Sequence, residues 1–174
     1  MSATSENLNY APQVLESKFR YYRARPAEAQ SDGYEKRNGI TVRPADQEAI
    51  ANKAYFGRNG NLASEPGDGW RFRGRGLKQI TGRDNYKAFD QYYEWYWPEG
   101  ARDFVASPDL IVQFPYSLRS AVWFWVSKAC MRIADGGMSA ANVDAITDIV
   151  NAGEQGEPRA HRRTYAQSAF EILS

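Results

Sequence analysis

Between Gly67 and Tyr86 the chain reads GDGWRFRGRGLKQITGRDNY, in which five glycines separate four arginines, Trp70 and Phe72. Glycine at this density lets the backbone turn sharply or approach a ligand closely, at an entropy cost that a segment used only for packing has little reason to carry. The stretch reads as a site, and the segments on either side must form the scaffold that holds it. With 174 residues, the chain suits one domain over 1–174 that removes about two-thirds of its unfolded surface from water.

That scaffold is read as mainly α with a small β element. Pro12 suits the first turn of a helix whose Leu15, Phe19 and Tyr22 share a face, and the helix is expected to end near Arg25 and Pro26. Ser31 to Arg43 is polar and glycine-bearing and reads as a surface loop or loose ribbon. A second helix is expected from Pro44, with Asp46 and Glu48 in its first turn, through Ile50, Ala51 and Ala54 to Gly57. Trp70, Phe72, Leu77 and Ile80 are strand candidates, which would put the small sheet inside the glycine-rich stretch. Tyr86, Phe89, Tyr93 and Trp97 mark a helix from Asp84 to Trp97. Pro115 to Ala134 predicts a helix that is apolar on nearly every face between Ala121 and Val126 and so belongs in the middle of the molecule. Two more helices are expected, Ala141 to Val150 and Pro158 to Leu173.

Composition narrows the chemistry. A net charge of +1 gives no global attraction to nucleic acid or to an anionic membrane. Arg71, Arg73, Arg75, Lys78 and Arg83, interleaved with Trp70 and Phe72, would suit a base-stacking groove. The same arginines can instead hold a buried loop through bidentate hydrogen bonds, and nucleic acid is not taken as a partner. No Gly-Lys-Ser/Thr follows the glycines, so a phosphate loop is excluded. The single cysteine, Cys130, excludes an internal disulfide, and no Cys/His grouping suits zinc; neither a metal nor a cofactor is expected. Nucleophilic catalysis by Cys130 with His161 is set aside because Cys130 sits in an apolar helix, where a thiol acts as a small hydrophobe. No window approaches the ~18 consecutive apolar residues of a membrane helix, so stable membrane insertion is not expected. The aromatic run Tyr92, Tyr93, Trp95, Tyr96 and Trp97 suits core packing, or stacking on sugar rings. Carboxylate catalysis remains, but 21 acidic residues leave too many pairs, and Glu6 alone would read as a mobile terminal charge.

The order of several segments selects among them. SENLNY at 5–10, IANKAYFGRNGN at 50–61, the central block at 67–86, DFVASPDL at 103–110, SAVWFW at 120–125 and ITDIVNAG at 146–153 span nearly the whole chain. In that order they resemble glycoside hydrolase family 19, the plant chitinases and bacterial and phage cell-wall hydrolases, and especially its phage endolysin branch. The resemblance implies a lysozyme-like, bilobal, mostly helical fold and inverting hydrolysis of β-1,4 links between N-acetylated amino sugars. Inversion uses two carboxyl groups about 6.5–9.5 Å apart, one protonating the leaving oxygen and one activating water. By resemblance the base is Glu6, and Thr81 is the hydroxyl residue that helps hold the water. Asn85 and Asn151 match substrate-binding positions, and Gln79 and Tyr86 of the central block are grouped with them. An arginine of the last helix belongs to the same network; Arg159, Arg162 and Arg163 are all open by spacing, with Arg162 preferred.

Two departures stand out. The family's INGG-like turn reads Val150-Asn151-Ala152-Gly153, which is expected to reshape the turn only. The family's general acid, a glutamate in a His-Glu-Ser/Thr motif, lies a short way before the base, whereas the sequence starts five residues before Glu6. The expectation is a fragment of a longer hydrolase that lacks the acid-bearing N-terminal helix, with a glycan-binding homologue that does not cleave as the alternative. Expected partners are peptidoglycan strands, or chitin oligomers, together with an immunity protein or a missing N-terminal segment that completes the site. Without a signal peptide in view, the reading is synthesis in the cytoplasm and action on the cell wall after holin release or delivery by a secretion system.

Overall fold

The computed structural model describes residues 5–63, 66–98, 100 and 102–173. It divides into two compact units, Met1–Ala121 and Val122–Ser174. The fold is mainly α with one small sheet, as expected.

In the first unit an extended N-terminal segment leads into α1 (Pro12–Lys18), a 3-10 turn (Tyr22–Ala24) and α2 (Pro26–Asp32). Leu15, Phe19 and Tyr22 are all buried, but not on one helix. Tertiary contact overrides the local pattern here: the Tyr22 hydroxyl donates to Asp32 Oδ2 at 2.7 Å, and Lys53 Nζ meets the same carboxylate at 2.7 Å. Pro26 opens α2 rather than merely ending α1, because a fixed φ and a missing N–H suit the first helical position.

The ribbon at 31–43 is the sheet. Strands β1 (Glu35–Arg37) and β2 (Ile40–Arg43) pair antiparallel, with Lys36 opposite Thr41 and Arg37 opposite Ile40. Asn38 and Gly39 turn between them at φ 53° and 79°, the positive values of a tight hairpin. The glycine-rich stretch carries no strand; it holds α4 (Asp68–Arg71) and one isolated bridge from Arg75 to Ile80.

Helix α3 (Gln47–Ala54) starts from Asp46, whose carboxylate accepts the Ala49 N–H at 3.0 Å. Its buried face, Ile50, Ala51 and Ala54, joins Leu8, Leu15, Phe19 and Tyr22 in one core cluster. Each large side chain there contributes about 1.5–3 kcal/mol by leaving water. Helix α4 lies against α3 so closely that a Cβ on Gly69 would fall 2.3 Å from the Ala51 carbonyl. Helix α5 (Arg83–Tyr96) buries Tyr86, Phe89 and Tyr93, matching the spacing read from the sequence. Phe89 stacks on Phe104 at 4.7 Å, and Tyr93 meets Phe104 edge-on at 5.3 Å.

A second 3-10 turn (Pro108–Val112) precedes α6 (Tyr116–Ser127). The long apolar helix expected over 115–134 is interrupted: Ala129 takes a left-handed φ of 56°, and α7 (Cys130–Ala134) begins anew. Ser117, Ser120 and Trp123 are buried whereas Leu118, Val122 and Val126 are exposed, so α6 is one-sided rather than central. In the second unit, α8 (Ala140–Val150) is capped by the Ser139 hydroxyl and packs against both α7 and α9 (Glu157–Leu173).

Candidate active site

Glu6 is held in both directions by one glycine. Its N–H donates to the Gly74 carbonyl at 2.7 Å, and the Gly74 N–H donates to Glu6 Oε2 at 3.2 Å. Its other oxygen, Oε1, accepts the Tyr55 hydroxyl at 2.6 Å. Two residues on, Leu8 is fully buried and its N–H donates to Gln47 Oε1 at 2.9 Å. The N-terminal segment is therefore anchored by contacts from distant parts of the chain, and Glu6 is no mobile terminal charge. Tyr55 ends α3, and burial followed by the negative charge of Glu6 pushes its hydroxyl well above the ordinary tyrosine range. It keeps its proton and remains a donor.

Gly74 also fixes where the loop passes. A Cβ there would stand 2.9 Å from Gln79 Oε1 and 3.3 Å from both Glu6 Cβ and Thr81 Oγ1. Glu6, Gln79 and Thr81 thus converge on one point, which only a residue without a side chain leaves open. Gln79 takes a φ of 53°, and its Nε2 donates to the Gly76 carbonyl at 2.9 Å. The Thr81 hydroxyl donates to the Gln79 carbonyl at 2.9 Å, leaving its lone pairs for another donor. Asn85, in the first turn of α5, donates to the Thr81 carbonyl at 2.7 Å.

The arginines of the stretch work underneath. Arg75 is 1% exposed and donates to Asp109 at 2.9 Å, to the Arg71 carbonyl at 2.6 Å and to the Tyr86 hydroxyl at 3.0 Å. Tyr86 is fully buried and donates onward to the Arg73 carbonyl at 2.7 Å, so its ring lies beneath the loop instead of facing a ligand. Arg73 lies over the Trp70 ring at 3.6 Å, and Arg83 grips Asp68 with two hydrogen bonds. Burial pushes the Asp68 carboxyl up, but Arg83 and the Leu62 N–H outweigh it and hold it below its usual range.

In the second unit Glu154 joins two of the expected residues. Asn151 Nδ2 donates to Glu154 Oε1 at 2.7 Å, and the Arg162 guanidinium pairs with the same carboxylate. Arg159 meets Asp148 at 2.9 Å and Asp144 at 3.2 Å, and Arg163 pairs with Asp144. Of the three arginines left open by spacing, Arg162 is the one that meets the Glu154 carboxylate held by Asn151, whereas Arg159 donates to the Glu154 backbone carbonyl at 3.1 Å. Cys130 is a fully buried thiol, whereas His161 lies on the exposed face of α9 beside Glu157 at 3.6 Å. Among the described residues, no group of three or more His, Cys, Asp or Glu is placed to hold a metal ion. Nor is any helix among them long and apolar enough to cross a membrane.

No family model matches the chain. A glycosyl hydrolase family 19 domain-containing protein of Haemophilus influenzae is 36% identical to it over 151 residues, which is 87% of this chain. The chain belongs to glycoside hydrolase family 19. It spans 62% of that relative's length.

In this family 19 chain, then, the residues expected from the sequence fall into two sets. Glu6, Gln79, Thr81 and Asn85 lie together in the first unit, and Asn151 and Arg162 lie together in the second. Three residues of these sets escaped the sequence reading: Tyr55, Gly74 and Glu154. Tyr55 and Gly74 sit inside the quoted segments at 50–61 and 67–86, but their contacts to Glu6 cross 49 and 68 positions. Glu154 follows Asn151 at i+3, a spacing too common to single out.

Proposed function

We propose that the chain hydrolyses the β-1,4 links of peptidoglycan with inversion, using Glu6 as general base. The observation that carries this reading is the Glu6 carboxylate, oriented by Tyr55 and Gly74 and converging with Thr81 on one point. A base must be held within hydrogen-bond reach of the water it activates. With one oxygen committed to Tyr55 and the other to a longer bond from Gly74, the carboxylate keeps lone pairs for a water that Thr81 also contacts. Glu6 takes a proton from this water as its oxygen bonds to the anomeric carbon. The bond to the leaving sugar oxygen breaks on the opposite face, and that oxygen takes a proton from a second carboxyl group. Asn85 and Gln79 are assigned to the sugar beside the water; Asn151 and Arg162 are assigned to substrate on the family resemblance alone. Peptidoglycan is preferred to chitin because the motifs sit closest to the endolysin branch. By the same reading the chain acts at the cell wall.

A substrate whose leaving group needs no proton isolates the step assigned to Glu6. Dinitrophenyl chitotrioside releases an acidic phenol, so its hydrolysis depends on the base and the water alone. The expected result is turnover with an α-configured product by NMR, reduced at least ~100-fold in Glu6→Gln. Equal turnover by the glutamine variant, or a β-configured product, would sink the assignment. Parallel digestion of sacculi and chitin, with mass spectrometry of the products, decides the substrate.

A further inference from the structure

The net charge of +1 conceals a concentrated positive surface. A groove of about 690 Å3 in the first unit is lined by Lys18, Arg20, Arg23, Arg25, Lys53 and Arg58. Internal anions account for part of this charge. Lys53 lies between Glu28 at 2.8 Å and Asp32 at 2.7 Å, and Arg25 faces Glu28 at 3.7 Å. Lys18 donates to the Tyr10 hydroxyl at 2.7 Å, a neutral partner. The guanidinium groups of Arg20, Arg23 and Arg58 are exposed and make no hydrogen bond or ion pair among the described residues. Like charges gathered at this density repel, and an anionic ligand relieves the repulsion. Tyr21 and the exposed Phe56 add apolar surface between the cations.

One side of the groove is built from the chain segment that carries Tyr55. Lys53 and Ala54 precede Tyr55, and Phe56 and Arg58 follow it, and the Tyr55 hydroxyl is the one that holds Glu6. A ligand in the groove would lie against the segment whose Tyr55 positions Glu6. The anions carried by a peptidoglycan strand are the carboxylates of its stem peptides, whereas chitin carries none. Arginine forks match carboxylates in two-point contacts. Resting on the function proposed above, we infer that this groove takes the stem-peptide carboxylates and so selects peptidoglycan over neutral chitin.

The test separates binding from cleavage. Glu6→Gln protein is titrated with teichoic-acid-free sacculi and with the same sacculi after their carboxyl groups are coupled to methylamine. Native sacculi are expected to bind more tightly, with the difference shrinking as salt is raised. Adding Arg20→Gln and Arg23→Gln is expected to weaken binding of native sacculi about tenfold, the loss of two exposed charge pairs, and to leave the amidated material unaffected. Neither arginine has an internal partner to lose, and a melting curve verifies the fold. Equal binding of native and amidated sacculi overturns the inference, as does unchanged affinity in the double arginine variant. Tighter arginine-dependent binding of a single-stranded DNA oligomer than of sacculi overturns it in favour of a nucleic-acid groove. Hydrolysis of the neutral dinitrophenyl chitotrioside, measured with Glu6 intact, reports on the base alone and stays at the parent level in Arg20→Gln/Arg23→Gln. A fall in that turnover matching the fall in binding would deny the groove its separate role.

Discussion

Glu6 and Gly74 bind each other twice, backbone N–H to carbonyl at 2.7 Å and backbone N–H to carboxylate at 3.2 Å. This reciprocal pair ties the chain start to the turn of the glycine-rich stretch, and it makes Gly74 a positioning residue although it carries no functional group.

Replacing Gly74 by alanine tests that role. Its backbone is not in the left-handed region, so the cost is purely steric: the new methyl meets Gln79 Oε1 at 2.9 Å and presses on Glu6 and Thr81 at 3.3 Å. Adaptation of these side chains is expected to cost about 1–3 kcal/mol of stability. Displacement of the base by a few tenths of an ångström is expected to lower kcat on the aryl glycoside by ~10²-fold, with KM changed far less. Wild-type kcat in a folded Gly74→Ala protein would show that Glu6 does not need this geometry.

Tyr55→Phe removes the other hold on the carboxylate. The lost hydrogen bond goes to an ionisable group in a half-buried place, so unfolding stability is expected to fall by about 1–2 kcal/mol. The ring contact with Phe19 at 6.3 Å is retained. A Glu6 carboxylate held by Gly74 alone is expected to lower kcat ~10-fold, and steady-state kinetics beside a urea titration separates the two effects. Loss of stability without loss of rate would make Tyr55 a scaffold residue only.

How much of this was legible beforehand depended on the range of the forces involved. Helix α5 was read from the spacing of Tyr86, Phe89 and Tyr93 because the local period and the burial agree. Helices α8 and α9 were read from the break at Asn151 and Gly153 between them, not from burial, since α8 buries only Thr147 and α9 no residue. The sheet was misplaced, because aromatic residues in the glycine-rich stretch resemble strand residues while the Asn38-Gly39 turn lies in a polar segment. Phe72 and Ile80 are buried around the packed Arg75, not in a ladder. The break at Ala129 has no glycine or proline beside it, and no local signal announces it. Glu6 itself was legible only through its motif, since the contacts that fix it come from residues tens of positions away.

Buried tyrosines set a high-pH limit on the fold. Burial, then hydrogen bonds and nearby carboxylates, pushes Tyr22 far above the ordinary value, and burial and Glu6 do the same for Tyr55. Burial pushes Tyr86 up to about 12 against the pull of Arg75. A folded-state pKa above the unfolded one means that the native chain holds protons the unfolded chain has released. The stabilisation is full below about pH 10 and is lost as pH rises beyond it. Of the eleven tyrosines, these three are expected to ionise last, together with loss of structure. Ultraviolet difference absorbance followed alongside circular dichroism checks this; smooth ionisation of all eleven before any structural change would contradict it.

The second unit offers a separate test, because Glu154 alone links Asn151 to Arg162 among the contacts described for these residues. Hydrogen bonds from Arg162, and then from Asn151, hold the Glu154 carboxyl below its usual range. A depressed folded-state pKa means that the link is present above the ordinary glutamate pKa and fades as pH falls through the folded value. Glu154→Gln keeps an acceptor for Asn151 but no longer attracts the guanidinium by charge. If Asn151 and Arg162 hold the glycan, KM for sacculi is expected to rise about 3- to 10-fold, with kcat and the melting temperature nearly unchanged. The same substitution should flatten the acid limb of KM below the ordinary glutamate pKa of about 4.3, because this carboxyl is no longer there to protonate. An unchanged KM and an unchanged acid limb would mean that the Asn151, Glu154 and Arg162 cluster only holds α9 to the turn before it.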